Sequence, residues 1–142
     1  MRIRFKKWAR PELEASKFYI DNPEDYKGKW RELFENPEAP LHLELGCGKG
    51  TFMAKLATRD RNVNHIAIDV VDAMLGLAKR NIEAEFKENN MEIDNVYLTR
   101  FDIERILLIM DKKDSIDRIY INFCNPWPRG KHRKKRLTHT RQ

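Results

Sequence analysis

Apolar and polar positions along this chain switch repeatedly between a period of two and a helical period. Residues 41–45, Leu-His-Leu-Glu-Leu, alternate and predict a strand running straight into Gly46-Cys-Gly-Lys-Gly50. Residues 51–57 are amphipathic at helical spacing. Residues 65–70, His-Ile-Ala-Ile-Asp-Val, are a short apolar run ending at an acid and predict a buried strand. Val71, Leu75, Ala78, Ile82 and Phe86 then recur at steps of four, three, four and four, one face of an α-helix. Asp72 is placed to cap it, and Asn89-Asn90 ends it. Residues 96–101 predict a third strand, and Ile103, Ile106, Leu107 and Met110 a third helix. Residues 116–123 hold a fourth strand, bounded by Asn125-Pro-Trp-Pro128. Upstream, Pro11, Pro23, Pro37 and Pro40 break a polar lead-in. There Tyr26, Trp30, Leu33 and Phe34 predict a short helix over residues 25–35.

Strands alternating with helices imply an α/β fold: a parallel sheet joined by right-handed crossovers, with flanking helices. Ligands of such sheets bind beyond the carboxyl ends of the strands. The expected organisation is a basic N-terminal arm with a lead-in helix (1–40), a ligand-binding core (41–128) and a basic tail (129–142).

Charge separates these parts. The chain has 142 residues and a net charge of +6. Residues 1–10 hold five basic groups and residues 129–142 hold seven, and neither stretch holds an acid. The body between is therefore acidic by six. Cationic ends on an acidic body suggest a polyanion gripped by the ends, with solvated tails as the plain alternative. No apolar run reaches the roughly 18 to 20 residues of a membrane helix. Residues 1–10 lead into Pro11 and Glu12 without an apolar stretch, which argues against a secretory signal. Cys47 and Cys124 are too few for a disulfide scaffold and suit a reducing, cytoplasmic setting. No histidine is placed to activate either, so packing is the expectation for both. His132 and His139 lack partners at metal-ligand spacing, so no metal is expected.

The candidate chemistry sits where the strands end. Gly46, Gly48 and Gly50 permit a sharp turn and close approach of a ligand, or form a tight turn alone. Their spacing is not the dinucleotide fingerprint. Glu44 repels a phosphate and suits a cationic group such as an ammonium or a sulfonium. Asp69 is placed to accept from ribose hydroxyls. Asp102 is placed beside an adenine ring, or as a cap for the helix after it. Three acids after three strands, with one glycine loop, point to S-adenosylmethionine.

Taken together these features resemble the Rossmann-like class I methyltransferases. Residues 122–139, Asn-Phe-Cys-Asn-Pro-Trp-Pro-Arg-Gly-Lys-His-Arg-Lys-Lys-Arg-Leu-Thr-His, resemble the signature of the tRNA guanine-N7 methyltransferases acting on the variable loop. The resemblance runs over the whole chain and implies methyl transfer from S-adenosylmethionine to guanine N7 of tRNA. It implies cofactor binding by Glu44, Gly46, Gly48, Gly50, Asp69, Asp102 and Asn125, with Asn125 as the catalytic position. It also implies tRNA contacts by Trp127, Arg129, Lys131, His132, Arg133, Lys134, Lys135 and Arg136. Trp127 stacks on a base or packs in a core. The complete protein is expected to be a monomer or a homodimer.

Two positions depart from the family pattern, which has aspartate at Asn125 and lysine at Arg129. Asparagine keeps hydrogen bonding but offers no full charge to the cationic product. Asn-Pro-Pro-aromatic motifs at this strand end also occur in amino-group methyltransferases, a competing expectation, although here Asn125 is followed by Pro126-Trp127 and the second proline is missing. The family continues into further strands, a substrate-binding aspartate and a T-x-x-E segment. The expectation is therefore a chain truncated at its C-terminus, lacking the last strands of the sheet and poorly active. A non-catalytic RNA-binding remnant is the alternative.

Overall fold

Leu41, Leu43 and Leu45 on one side of a strand, with His42 and Glu44 on the other, need cover on both faces, and the fold supplies it. The structure, a computed structural model, describes residues 5–121. Its strands are β1 (Tyr19–Ile20), β2 (Leu41–Leu45), β3 (Asn64–Asp69), β4 (Val96–Arg100) and β5 (Ile116–Ile121). They form one sheet in the order β1-β4-β3-β2-β5, and every pairing is parallel. The order reverses beside β2, which puts the switch point at the end carrying the glycines.

Three α-helices, α1 (Ala9–Glu14), α2 (Thr51–Arg59) and α3 (Asp72–Glu88), cover one face. Their apolar positions, among them Leu13, Met53, Leu75, Ile82 and Phe86, pack on Ala67 and Leu98. The other face, with Leu43, Ile66 and Ile68, is covered by a 3₁₀ turn carrying Trp30 and by Ile109 and Met110, which directly follow another 3₁₀ segment. The sheet with flanking helices is the Rossmann-like class I arrangement. No helix among the described residues is long and apolar enough to cross a membrane.

Four expectations need correction. The helix over residues 25–35 is two 3₁₀ turns, Pro23–Tyr26 and Trp30–Leu33, parted at Gly28, whose φ is +78°. The buried Asp114 carboxylate causes the break. It accepts from the N–H groups of Gly28 (2.9 Å) and Trp30 (3.0 Å), which therefore do not serve a helix. The third helix is a 3₁₀ segment, Ile103–Leu108, kinked at Arg105. Ile103, Ile106 and Ile109 recur at steps of three, the 3₁₀ period, and all three face the core. Asp72 does not cap α3. The cap position is Val71, and the Asp72 carboxylate turns to Arg10 instead. Finally, the lead-in holds β1, which joins the sheet through Tyr19 and Leu98.

In β5, Arg118 rather than Asp117 stands opposite His42, because the register shifts after Leu41. Asp117 then accepts from the Leu41 N–H and the Arg31 guanidinium, both at 2.9 Å. The Leu41 N–H, then Arg31, hold its carboxyl below the usual range. This fixes the strand that leads to residue 122. Residues 122–142 lie outside the described part, and with them the expected positions of Cys124, Asn125, Trp127, Arg129 and Lys131 to Arg136.

Candidate methyl-donor site

Beyond the end of β2 the chain must reverse into α2 within five residues. Gly46, Gly48 and Gly50 take φ of +80°, +56° and +76° to do so, a region L side chains rarely adopt. Gly50 is further constrained by space. A Cβ built there lies 2.6 Å from the Ala78 Cβ and 2.8 Å from its Cα. The loop can therefore sit directly on α3 only without a side chain at 50.

The loop is held at nearly every residue. The N–H groups of Gly46 and Cys47 donate to the Ile68 carbonyl at 2.8 and 2.9 Å. The Gly48 N–H donates to Asp69 Oδ2 at 2.8 Å. The Lys49 carbonyl accepts from Asn81 Nδ2 at 2.8 Å. Asp69 Oδ1 also accepts from the N–H groups of Val70 (2.8 Å) and Val71 (3.1 Å). A carboxylate has about four acceptor sites. Three are taken, so Asp69 both braces the loop and keeps capacity for a hydroxyl donor.

Glu44 is fully buried on the helix-covered face of β2, between Ala67 of β3 and Tyr120 of β5. The structure thus brings the glycine loop and Asp69 into contact, with Glu44 two residues before the loop. Asp102 is exposed at the end of β4, and its carboxylate accepts from the Glu104 N–H at 3.0 Å. It caps its own turn, as the capping expectation has it.

Two neighbours escape a reading of the sequence. Val70, half exposed beside Asp69, offers an apolar surface at the strand exit. Asn81 looks like an ordinary polar helix position. A third feature borders the site. The Asp72 carboxylate joins Arg10 (2.9 Å) of α1 and Arg100 (3.4 Å) of β4. Below it Arg80 stacks on Trp8, 3.6 Å from the ring centroid, and pairs with Glu12 at 2.8 Å. Arg80 and Lys79 hold the Glu12 carboxyl down at about 2. Trp8, Arg10 and Glu12 thereby moor α1 and the residue before it to α3.

The family described as "Putative methyltransferase" matches residues 38–142. The chain belongs to this family. Over its whole length this family member is 58% identical to a tRNA (guanine-N(7)-)-methyltransferase of Clostridium botulinum (strain Alaska E43 / Type E3), covering 64% of that protein. It is 56% identical to the protein of the same name from Clostridium perfringens (strain 13 / Type A), covering 65%. The chain thus spans just under two thirds of the length of these curated relatives. Among solved structures it is similar to "Structure of an Antibiotic Related Methyltransferase". That match has a TM-score of 0.49 and 24% identity, and covers 75% of this chain and 48% of the other.

Proposed function

We propose that this chain transfers the methyl group of S-adenosylmethionine to N7 of a guanine in the variable loop of tRNA. The observation that carries the reading is the glycine loop bonded to Asp69 at the switch point of a parallel sheet. The relatives named for guanine-N7 methylation support the choice of acceptor.

The residues fit the methyl donor. Loop glycines let the backbone approach closely, and the acceptor-only carboxylates of Glu44 and Asp69 suit a molecule bearing an ammonium, a sulfonium and ribose hydroxyls. Asp69 would hold the ribose, Glu44 the cationic end, and Asp102 the adenine amine while still capping its turn. When bound, the donor supplies an electrophilic methyl on sulfur. Guanine N7 carries a lone pair at neutral pH, so no general base is needed, and the protein's task is positioning and electrostatics. Asn125 would orient the guanine edge or the cofactor. Arg129, Lys131, His132, Arg133, Lys134, Lys135 and Arg136 would hold tRNA phosphates, with Trp127 against a base. Such binding falls steeply with salt. The setting is the cytoplasm, where tRNA is.

The test is incubation of the chain with methyl-labelled S-adenosylmethionine and unmodified tRNA, followed by digestion and separation of nucleosides. The expected product is 7-methylguanosine. Label in an N-methylated base or in protein would replace this reading with the amino-group one. Retention of tRNA without cofactor binding or transfer would leave an RNA-binding remnant.

A further inference from the structure

We infer that Asn81 is a positioning residue for the methyl-donor loop, acting on the cofactor's amino-acid end through the Lys49 carbonyl. The inference rests on the methyl-donor reading. Asn81 lies in the middle of α3 and makes its contact outside the helix, across 32 residues of sequence, with Nδ2 2.8 Å from the Lys49 carbonyl oxygen. A carbonyl only accepts, so the amide must present its nitrogen there. Asparagine is a poorer helix former than alanine at an interior position. Its presence mid-helix is accounted for by the bond it makes.

The contact matters because of what else holds the loop. Asp69, Ile68 and Cys47 orient the amides of residues 46–48 and 50, all from the strand side or from within the loop. From α3, the Ala78 methyl blocks approach at Gly50 but has no directional bond to give. Asn81 holds the carbonyl side of the peptide joining Lys49 to Gly50, whose N–H side bonds the Cys47 carbonyl at 3.0 Å, so this peptide is gripped from α3 as well as from within the loop. Without Asn81 that peptide keeps only the bond to Cys47, and the glycine after it has access to both signs of φ. Without the Asn81 bond the loop samples more states, and a ligand must select the competent one. Asn81 is exposed, so its removal leaves the core intact.

The test compares Asn81→Ala, Asn81→Asp and Asn81→Gln with the unsubstituted 142-residue chain. S-adenosylhomocysteine affinity is read by titration calorimetry and Gly48 and Gly50 amide exchange by NMR. Melting midpoints and tRNA retention serve as controls. Alanine is expected to weaken S-adenosylhomocysteine about fivefold, in line with one net hydrogen bond. Aspartate has the same shape but sets an acceptor against the carbonyl, so it should weaken binding further. Glutamine keeps the donor and should restore most of the affinity. Amide exchange at Gly48 and Gly50 should rise in the alanine and aspartate variants, with tRNA retention and melting unchanged. If all three variants bind within twofold of the original and exchange is unaltered, the inference is overturned while the methyl-donor reading stands. If the original chain binds no S-adenosylhomocysteine, that reading falls and takes this role of Asn81 with it.

Discussion

Replacing Gly50 with alanine should destabilise the chain by an amount that the geometry bounds. Two costs arise. At φ +76° an L-residue sits in the left-handed region, which costs about 1–2 kcal/mol. The new Cβ also meets the Ala78 Cβ at 2.6 Å and its Cα at 2.8 Å, and forcing such overlap costs about 1–3 kcal/mol. The expected loss is therefore about 2–5 kcal/mol, a large share of a typical domain's stability. Urea denaturation followed by circular dichroism measures it. The Ala78→Gly background separates the two costs. By itself Ala78→Gly loses about 1 kcal/mol of helix propensity. Combined with Gly50→Ala, it removes the clash between the two methyl groups but leaves the crowding against the helix backbone and the positive φ. The pair should therefore be non-additive by about 1 kcal/mol, with the double variant less unstable than the sum. A single-variant loss under about 1 kcal/mol, or strict additivity, would refute the claim that the loop rests directly on α3.

Three further outcomes are expected. His65 is fully buried on β3, and burial pushes its imidazole down to about 4, below its ordinary 6.5. The unfolded chain then takes up this proton first, so stability is complete above pH 6.5 and is lost as pH falls toward 4, by about 3 kcal/mol in all. Urea midpoints between about pH 7.5 and 4.5 should fall less steeply for His65→Leu, and parallel profiles would count against the mechanism. At Gly76 a Cβ would lie 2.9 Å from the Trp8 ring and 3.0 Å from Ala9. Gly76→Leu should thus unseat α1, seen as faster hydrogen exchange across Ala9–Glu14 with little change at β2 and β3. Asp69→Asn leaves one acceptor oxygen for the three N–H groups now bound by two. Calorimetry should show at least about a tenfold loss of S-adenosylhomocysteine affinity, since hydrogen bonds to a charged acceptor are the stronger kind; unchanged affinity would separate Asp69 from the ligand.

Much of this was legible because it rests on local demands. The strands β2, β3 and β4 carry period-two or wholly apolar runs, and the turn after β2 requires positive φ three times, which glycine announces. Asp69 stands where a parallel sheet exposes side chains to a ligand. What escaped depends on distant partners. Pro23–Tyr26 and Trp30–Leu33 share helical spacing, yet Asp114, some 84 residues away, claims the amides that a continuous helix would use. β1 is two residues long and is a strand only because β4 lies beside it. Residues 103–110 hold apolar positions compatible with two periods, and the core selects the period of three. Asn81 has no signature at all, since the carbonyl it serves belongs to a loop 32 residues earlier.

The angular positions on α3 explain how one helix supports both α1 and the glycine loop. At about 100° per residue, Asp72, Gly76, Lys79 and Arg80 fall within about 100° of one another, and all four touch α1 or the residues flanking it. Leu75, Ile82 and Phe86 form the adjacent stripe that enters the core. Ala78 and Asn81 lie on the far side, turned roughly 140–200° from Gly76, and face the glycine loop. A slip of one residue in α3 would rotate all three contacts together by about 100° and satisfy none of them. The register of α3 is therefore fixed from three directions. For that reason the loop's position depends on α3 as much as on the strand that leads into it.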